Sequence, residues 1–130
     1  RVIEALRKLD PAERPERCVG CEVWRALDWL VDSDKVTMDL SHHENLQLAL
    51  LGVFDSQIVG GKRYDLASMG RRRANATYFE SHGVDDAQGL SYGMDMTALM
   101  NDAAIDPKEF IREFVQRFAT DVLERVGRMS

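Results

Sequence analysis

The sequence lacks any long hydrophobic run, and this absence excludes a membrane-spanning helix. None of its apolar stretches reaches the roughly 18 residues that cross a bilayer. It also lacks a recognisable signal peptide, so we expect a cytoplasmic protein. Positive charge is not in excess either, because the formal net charge is −5. A nucleic-acid partner is therefore not expected, since such partners require a basic face.

Cysteine is scarce, and both cysteines lie in one short segment, Cys18-Val-Gly-Cys21. A redox pair needs a helix N-terminus to lower a thiol pKa, and a structural zinc site needs four ligands. The segment lies instead in an apolar run typical of a strand. We therefore expect reduced, buried thiols in an intracellular protein. Repeats, phosphate-binding glycine loops and nucleophile elbows are also missing.

The chain has 130 residues with 45% apolar content, which predicts a single α/β segment over 1–130. Alternating apolar residues predict two or three short strands, and helical spacing predicts three to four helices. The strands are expected at 18–24, 35–40 and within 84–96, the last as a strand or an extended arm. The helices are expected at 1–9, 41–58, 65–82 and 106–130.

Two helix starts carry capping signals. Ser41 and Glu44 have the spacing of a capping box, which favours a cap over a metal role for His42 and His43. Asp106 precedes a proline and a glutamate and predicts the start of an amphipathic helix over 106–130. The helix after Ser41 is expected to bury one apolar face. Its members are Leu46, Ala49, Leu50, Val53, Phe54 and Ile58.

The stretch 56–83 is the segment around which the rest of the chain is organised. Gly60-Gly61 predicts a sharp turn that places Lys62 and Arg63 ahead of a helix, with Asp65 as its N-cap, His82 in its last turn and Gly83 just after it. Two interpretations remain open, a structural turn between packed helices or a place that holds an anion or polar substrate. Arg71-Arg72-Arg73 fans around the helix axis, so one arginine is expected to point inward.

Several segments resemble, in order and spacing, the C-terminal part of the PIG-L (LmbE-like) deacetylases. They are Gly20-Cys-Glu-Val-Trp-Arg25, Lys35-Val-Thr-Met-Asp-Leu-Ser41, Phe54-Asp-Ser-Gln57, Gly60-Gly-Lys-Arg-Tyr-Asp65 and the Arg-Arg-Arg-Ala-Asn-Ala-Thr-Tyr-Phe-Glu helix. The resemblance covers about residues 17–97. It implies part of a Rossmann-like layered α/β fold. It also implies a zinc-dependent hydrolase that removes an acetyl group from N-acetylglucosamine-type conjugates.

The departures from the family are informative. The Ala-His-Pro-Asp-Asp-Glu and His-Pro-Asp-His stretches that hold metal and base in the family are missing. Zinc is thus implied, but no metal ligand and no catalytic residue is assigned to this chain, which is expected to be inactive alone. The stretch 83–88 also lacks the tyrosine of the Gly-Val-x-Tyr-Ala-Glu pattern that some relatives carry.

Trp24, Arg25, Lys62, Arg63 and Tyr64 are the candidates for contacting a sugar or its polar tail, although each also has a structural interpretation. The alternative function is a non-catalytic binding or assembly module that keeps the deacetylase scaffold. A narrow sheet and a wide apolar stripe on the last helix predict a partner. That partner is expected to be a missing N-terminal half or a second copy in a homo-oligomer.

Overall fold

The computed structural model describes residues 1–79 and 86–129. His82 and Gly83 lie outside the described residues, as does the first half of the 83–88 stretch, residues 83–85. The elements in chain order are α1 (Val2–Arg7), a 3-10 turn (Pro11–Glu13), β1 (Val19–Cys21), a second 3-10 turn (Asp32–Asp34), β2 (Lys35–Asp39), α2 (Glu44–Gly52), α3 (Asp55–Ile58), α4 (Tyr64–Phe79), β3 (Leu90–Asp95), α5 (Thr97–Asn101) and α6 (Pro107–Arg128). The predicted mixed α/β class is confirmed. The described residues form six helices rather than the expected three to four.

The three strands form one antiparallel sheet in the order β1-β3-β2. Beside β1, the Met96 amide donates to the Cys18 carbonyl at 2.8 Å. Beside β2, the Leu40 amide donates to the Gly89 carbonyl at 2.9 Å. Gly20 lies so close to the Met96 sulfur that a Cβ there would collide with it. The third strand is therefore central, and a side chain at position 20 would require the flexible Met96 side chain to move.

The chain divides into two compact units. The first contains Arg1–Cys21, Leu27–Val36 and Met94–Ser130, and the second contains Glu22–Ala26 and Thr37–Gly93. Buried Leu27, Leu30 and Met94 form the core of the first unit, with Trp29 and three residues of α6 packed against them. Trp29 thus covers the core, as expected for a large ring.

Leu27 has a backbone conformation that leucine rarely adopts. Its φ is 53°, in the left-handed region, which costs a residue with a Cβ roughly 1–2 kcal/mol. The side chain is only 4% exposed, and burying a leucine stabilises by roughly 1.5–3 kcal/mol. Core packing therefore offsets the cost of the turn at Leu27.

Arg7 connects α1 to the region after α5. Its guanidinium donates to the carbonyls of Leu99 and Asp102, each at 2.8 Å, and of Ile105 at 2.9 Å. These carbonyls lie at and beyond the end of α5, where backbone acceptors have no partner within the helix. One cationic side chain thus satisfies three acceptors.

The start of α6 is confirmed. The Asp106 carboxylate accepts from the amides of Lys108 at 2.8 Å and Glu109 at 3.1 Å, with Pro107 at the first helical position. Its first half packs through Phe110 and Phe114 on the core. Its second half leaves an apolar face in solvent, including Val122, Leu123 and Val126.

The predicted capping box is wrong. The helix begins at Glu44, and the residue at its N-cap position is His43, whose side chain makes no cap bond. Ser41 bonds instead to the Asp39 carboxylate, and its hydroxyl accepts from the Gln88 amide at 2.8 Å. Ser41 therefore does not cap the helix, because its hydroxyl bonds to Gln88, which lies 47 positions away in sequence.

The predicted buried face after Ser41 is also wrong. Gln47 and Leu51 are the buried residues of α2, whereas Leu46, Leu50 and Val53 are more than half exposed. The helix also ends at Gly52 rather than continuing to Ile58, and a short turn precedes α3. The face that packs is thus shifted by one position from the expected one.

The cysteine prediction is half correct. Both thiols are free, but Cys18 is only partly buried and Cys21 is exposed. The reason is that β1 ends at Cys21 and is an edge strand of the sheet. The predicted strand over 18–24 is accordingly only three residues long.

Ser68 generates a stability prediction. Its hydroxyl is buried in α4 and has no hydrogen-bond partner within 1–79 and 86–129. Ser68→Ala should raise the free energy of unfolding by about 1–2 kcal/mol, because an unsatisfied buried hydroxyl is removed and helix propensity improves. Urea unfolding followed by circular dichroism measures this gain.

The reverse change at the neighbouring exposed position, Ala67→Ser, isolates the propensity part, which should be about 0.5 kcal/mol of destabilisation. A Ser68→Ala variant that is less stable than the parent chain would contradict the assignment of Ser68 as unsatisfied.

Candidate functional site

The glycine turn between α3 and α4 is confirmed. α3 ends at Ile58, and α4 begins at Tyr64. Gly61 has a φ of +92°, a conformation that favours glycine because a Cβ would be strained there. The turn places Lys62 and Arg63 directly before the first residue of α4, as the sequence predicts.

Three aromatic side chains of the second unit form one cluster, which we call the aromatic cluster: Trp24, Phe54 and Tyr64. The ring centroids of Trp24 and Tyr64 lie 5.0 Å apart, and the Trp24 and Phe54 rings meet edge to face at 5.6 Å. Trp24 and Tyr64 are half-buried, and Phe54 is 39% exposed. Two predicted site residues that lie far apart in sequence thus come into contact, with part of their ring surface in solvent.

Arg63 has a protein partner. Its Nε and Nη2 atoms donate to the two Asp65 carboxylate oxygens at 2.9 and 2.7 Å. Asp65 is the second residue of α4, so its expected role as N-cap is wrong. The hydrogen bond from Arg63 lowers the pKa of Asp65 to about 2. The Arg63 charge is therefore countered within the turn itself.

Arg25 and Lys62 are the other two cations among the predicted site residues. Both side chains are exposed, and neither forms an ion pair within the part of the chain that the structure describes. Each is the sequence neighbour or near neighbour of a cluster member, Trp24 or Tyr64. Exposed cations close in sequence to half-buried rings suit a ligand with both an apolar face and polar or anionic groups.

Sequence reasoning missed Phe54 as a site residue. The apolar spacing after Ser41 assigns it to the protein core, but it lies in the turn between α2 and α3 and contacts Trp24. Its place in the Phe54-Asp-Ser-Gln57 segment, which carries part of the resemblance, is the signal that would have pointed to it.

A cavity of about 400 Å³ lies in the second unit, between α2, α4 and the segment before β3. Its polar lining residues are Ser41, Glu44, Gln47, Arg72, Arg73 and Gln88. We call this cavity the arginine pocket. Sequence reasoning did not find it, although it correctly expected one inward arginine in the 71–73 run, which is the half-buried Arg72.

No set of three or more potential metal ligands among histidine, cysteine, aspartate and glutamate gathers within 1–79 and 86–129. His42 and His43 are both exposed. The helices of the described chain are also all too short or too polar to cross a membrane.

Comparison with protein-family models, with curated proteins and with solved structures finds no match to this chain. The class that the structure itself defines is a mixed α/β protein with a three-stranded antiparallel sheet. The similarity to the PIG-L deacetylases remains a prediction from the sequence motifs.

The Arg63–Asp65 pair generates a pH prediction. Because the pKa of Asp65 is lowered in the folded chain, its stabilising effect is present above the ordinary carboxyl pKa of 3.8 and is lost as the pH falls toward 2. Arg63→Ala should return the pKa of Asp65 toward 3.8, because the first cause of the shift is removed. Carboxyl carbon chemical shifts followed by NMR during an acid titration measure it.

Asp106 is the internal control for this titration. The pKa of Asp106 is also lowered, chiefly by hydrogen bonds from the Glu109 and Lys108 amides. It should not change in Arg63→Ala. If the pKa of Asp65 stays low in Arg63→Ala, the bidentate hydrogen bond between Arg63 and Asp65 is contradicted as its cause.

Proposed function

We propose that this chain is the C-terminal portion of a PIG-L-like zinc-dependent N-deacetylase, in which it forms a wall of the substrate pocket. The observation that supports this most is the contact between Trp24 and Tyr64 at 5.0 Å. These residues come from two separate segments that carry the resemblance, and both are half-buried. In this proposal the small α/β sheet is part of a larger Rossmann-like layered fold.

The aromatic cluster suits a sugar, because the C–H face of a pyranose is apolar and packs on aromatic rings. Lys62 and Arg25 then donate hydrogen bonds to hydroxyls or to an anionic tail of the amino-sugar conjugate. Arg63 contributes less to binding, since its two best-placed donors are held by Asp65. Its role is to keep the turn in place beside Tyr64.

The chemical step belongs to the rest of the proposed enzyme. Residues that fit a zinc ion are not gathered in the described chain, so we assign metal ligands and catalytic base to a preceding N-terminal half. The present chain binds and orients a small-molecule substrate and is inactive by itself. Its proposed location is the cytoplasm.

A second candidate is a non-catalytic binding or assembly module on the same scaffold. The exposed apolar face of α2 favours it, because contiguous apolar surface marks an interaction site. The two candidates share the aromatic cluster as a binding surface. They differ in whether the intact product carries zinc and hydrolyses an amide.

The proposed function is tested first on the intact gene product. Its coding sequence ahead of Arg1 should contain a His-Pro-Asp-Asp motif, and the purified product should hold zinc and release acetate from N-acetylglucosamine conjugates. In that protein Trp24→Ala should raise KM about three- to tenfold, because one aromatic contact is worth roughly 0.5–1.5 kcal/mol. Tyr78→Ala removes an exposed ring elsewhere on α4 and should leave KM unchanged.

Absence of the motif, of zinc and of acetate release would refute the deacetylase and leave the binding module. If hydrolysis occurs but Trp24→Ala and Tyr78→Ala have the same KM, the aromatic cluster is structural and the pocket wall lies elsewhere.

We also propose that the chain associates, with the missing half or with a second copy of itself. Leu46, Leu50 and Val53 are 55%, 58% and 75% exposed on one side of α2 and the turn after it. Burying each of these side chains would stabilise an interface by roughly 1.5–3 kcal/mol. A surface of this kind is costly to leave in water.

Light scattering at micromolar concentration tests the association. The chain alone should form a dimer or larger species, and Leu46→Gln with Leu50→Gln should shift it to monomer because the apolar contact is lost. Leu123→Gln changes the exposed apolar face of α6 instead of that of α2. Comparing the two variants shows which of these helices causes the association. A parent chain that is monomeric and does not bind a hydrophobic dye would contradict the proposal.

A further inference from the structure

The side chain of Gln47 is buried and fixed at both ends. Its Nε2 donates to the Leu40 carbonyl at 2.6 Å, and its Oε1 accepts from Arg72 Nη1 at 2.9 Å. The amide can be oriented in only one way, because Oε1 cannot donate to a carbonyl. Gln47 therefore acts as a rigid neutral support for the Arg72 guanidinium.

Arg72 is a half-buried cation without an anionic partner among the described residues. One of its N–H groups is used by Gln47, and a second weak contact joins Nη1 to the Met69 sulfur at 3.9 Å. Burial lowers the pKa of the Arg72 guanidinium, since removal from water disfavours its charge. An arginine has five N–H donors in a planar fork, and within 1–79 and 86–129 the contacts of this fork involve Nη1 alone.

Arg72 lines a cavity of suitable size. The arginine pocket has about 400 Å³, within the usual range of small-molecule sites. Arg73 also lines it and donates to the Gln88 carbonyl at 3.2 Å. The lining thus contains two arginines and one carboxylate, Glu44, in a chain whose net charge is −5.

We propose that the arginine pocket binds a small oxyanion, the phosphate or carboxylate group of a small molecule, through the guanidinium of Arg72. A planar guanidinium matches the paired oxygens of such a group. Gln47 holds the fork in place, which reduces the entropy lost on binding. This site is separate from the aromatic cluster and does not depend on the deacetylase proposal.

Titration with inorganic phosphate at constant ionic strength tests the proposal, with amide chemical shifts around Gln47 and Arg72 as the readout. The chain should saturate with a Kd of about 1–10 mM, and Arg72→Gln should weaken binding at least about tenfold, because a charge-assisted fork is lost. Arg71→Gln is the matched control. It removes the same charge from an exposed neighbour outside the pocket lining and should leave Kd within about twofold.

Arg72→Lys keeps the test decisive if Arg72→Gln fails to fold. Lysine keeps the positive charge and leaves the Gln47 amide intact but lacks the planar fork, so phosphate binding should fall about fivefold while circular dichroism shows a folded chain. A parallel titration with acetate separates the two sources of the oxyanion, since the tighter ligand identifies phosphate or carboxylate. Chemical shifts that change linearly up to about 100 mM ligand, or equal Kd values in the parent chain, Arg72→Gln and Arg72→Lys, would overturn the proposal.

Discussion

The second unit depends on one buried amide. Gln47 lies inside the protein, where an unpaired amide costs roughly 1–3 kcal/mol. It avoids this cost only if α2 is rotated so that the amide meets both Leu40 and Arg72. That rotation also buries Leu51, one helical turn further on, and turns Leu46 and Leu50 toward solvent. A polar requirement, rather than the apolar spacing, thus sets the orientation of α2.

Two surfaces follow from that orientation. On the inner side, the fixed Gln47 holds Arg72 at the edge of a cavity. On the outer side, an apolar strip faces water and is suited to a partner. The aromatic cluster is placed by a different device, the left-handed turn at Gly61, which directs the chain from α3 into Tyr64. Tyr64 and Arg72 are eight positions apart on α4, about 12 Å along its axis, so one helix supports both candidate sites.

Local signals predicted what local physics controls. Asp106 followed by proline starts α6 as expected, and Gly60-Gly61 forms the expected turn, because each needs only neighbouring residues. The capping box at Ser41 and the buried face of α2 failed for the opposite reason. Apolar residues occupy nearly every position from 46 to 54, so the spacing is ambiguous, and the deciding partner of Gln47 lies 25 residues away. The left-handed φ of Leu27 is likewise invisible in sequence, since its compensation is burial in the core.

The same limit applies to charge at the candidate sites. From sequence alone, Lys62-Arg63 and Arg71-Arg72-Arg73 are two basic clusters that are equally good candidates for binding an anion. In the folded chain, Arg63 is exposed and countered by Asp65 two positions on, whereas Arg72 is half-buried and supported by a neutral amide. An exposed pair is screened by water and attracts a further anion weakly. A partly desolvated cation interacts more strongly with an anion at the same distance. The proposed site for a small oxyanion therefore lies within α4 rather than at its start, and the proposed function assigns Lys62 and Arg25 to the polar groups of a ligand on the aromatic cluster.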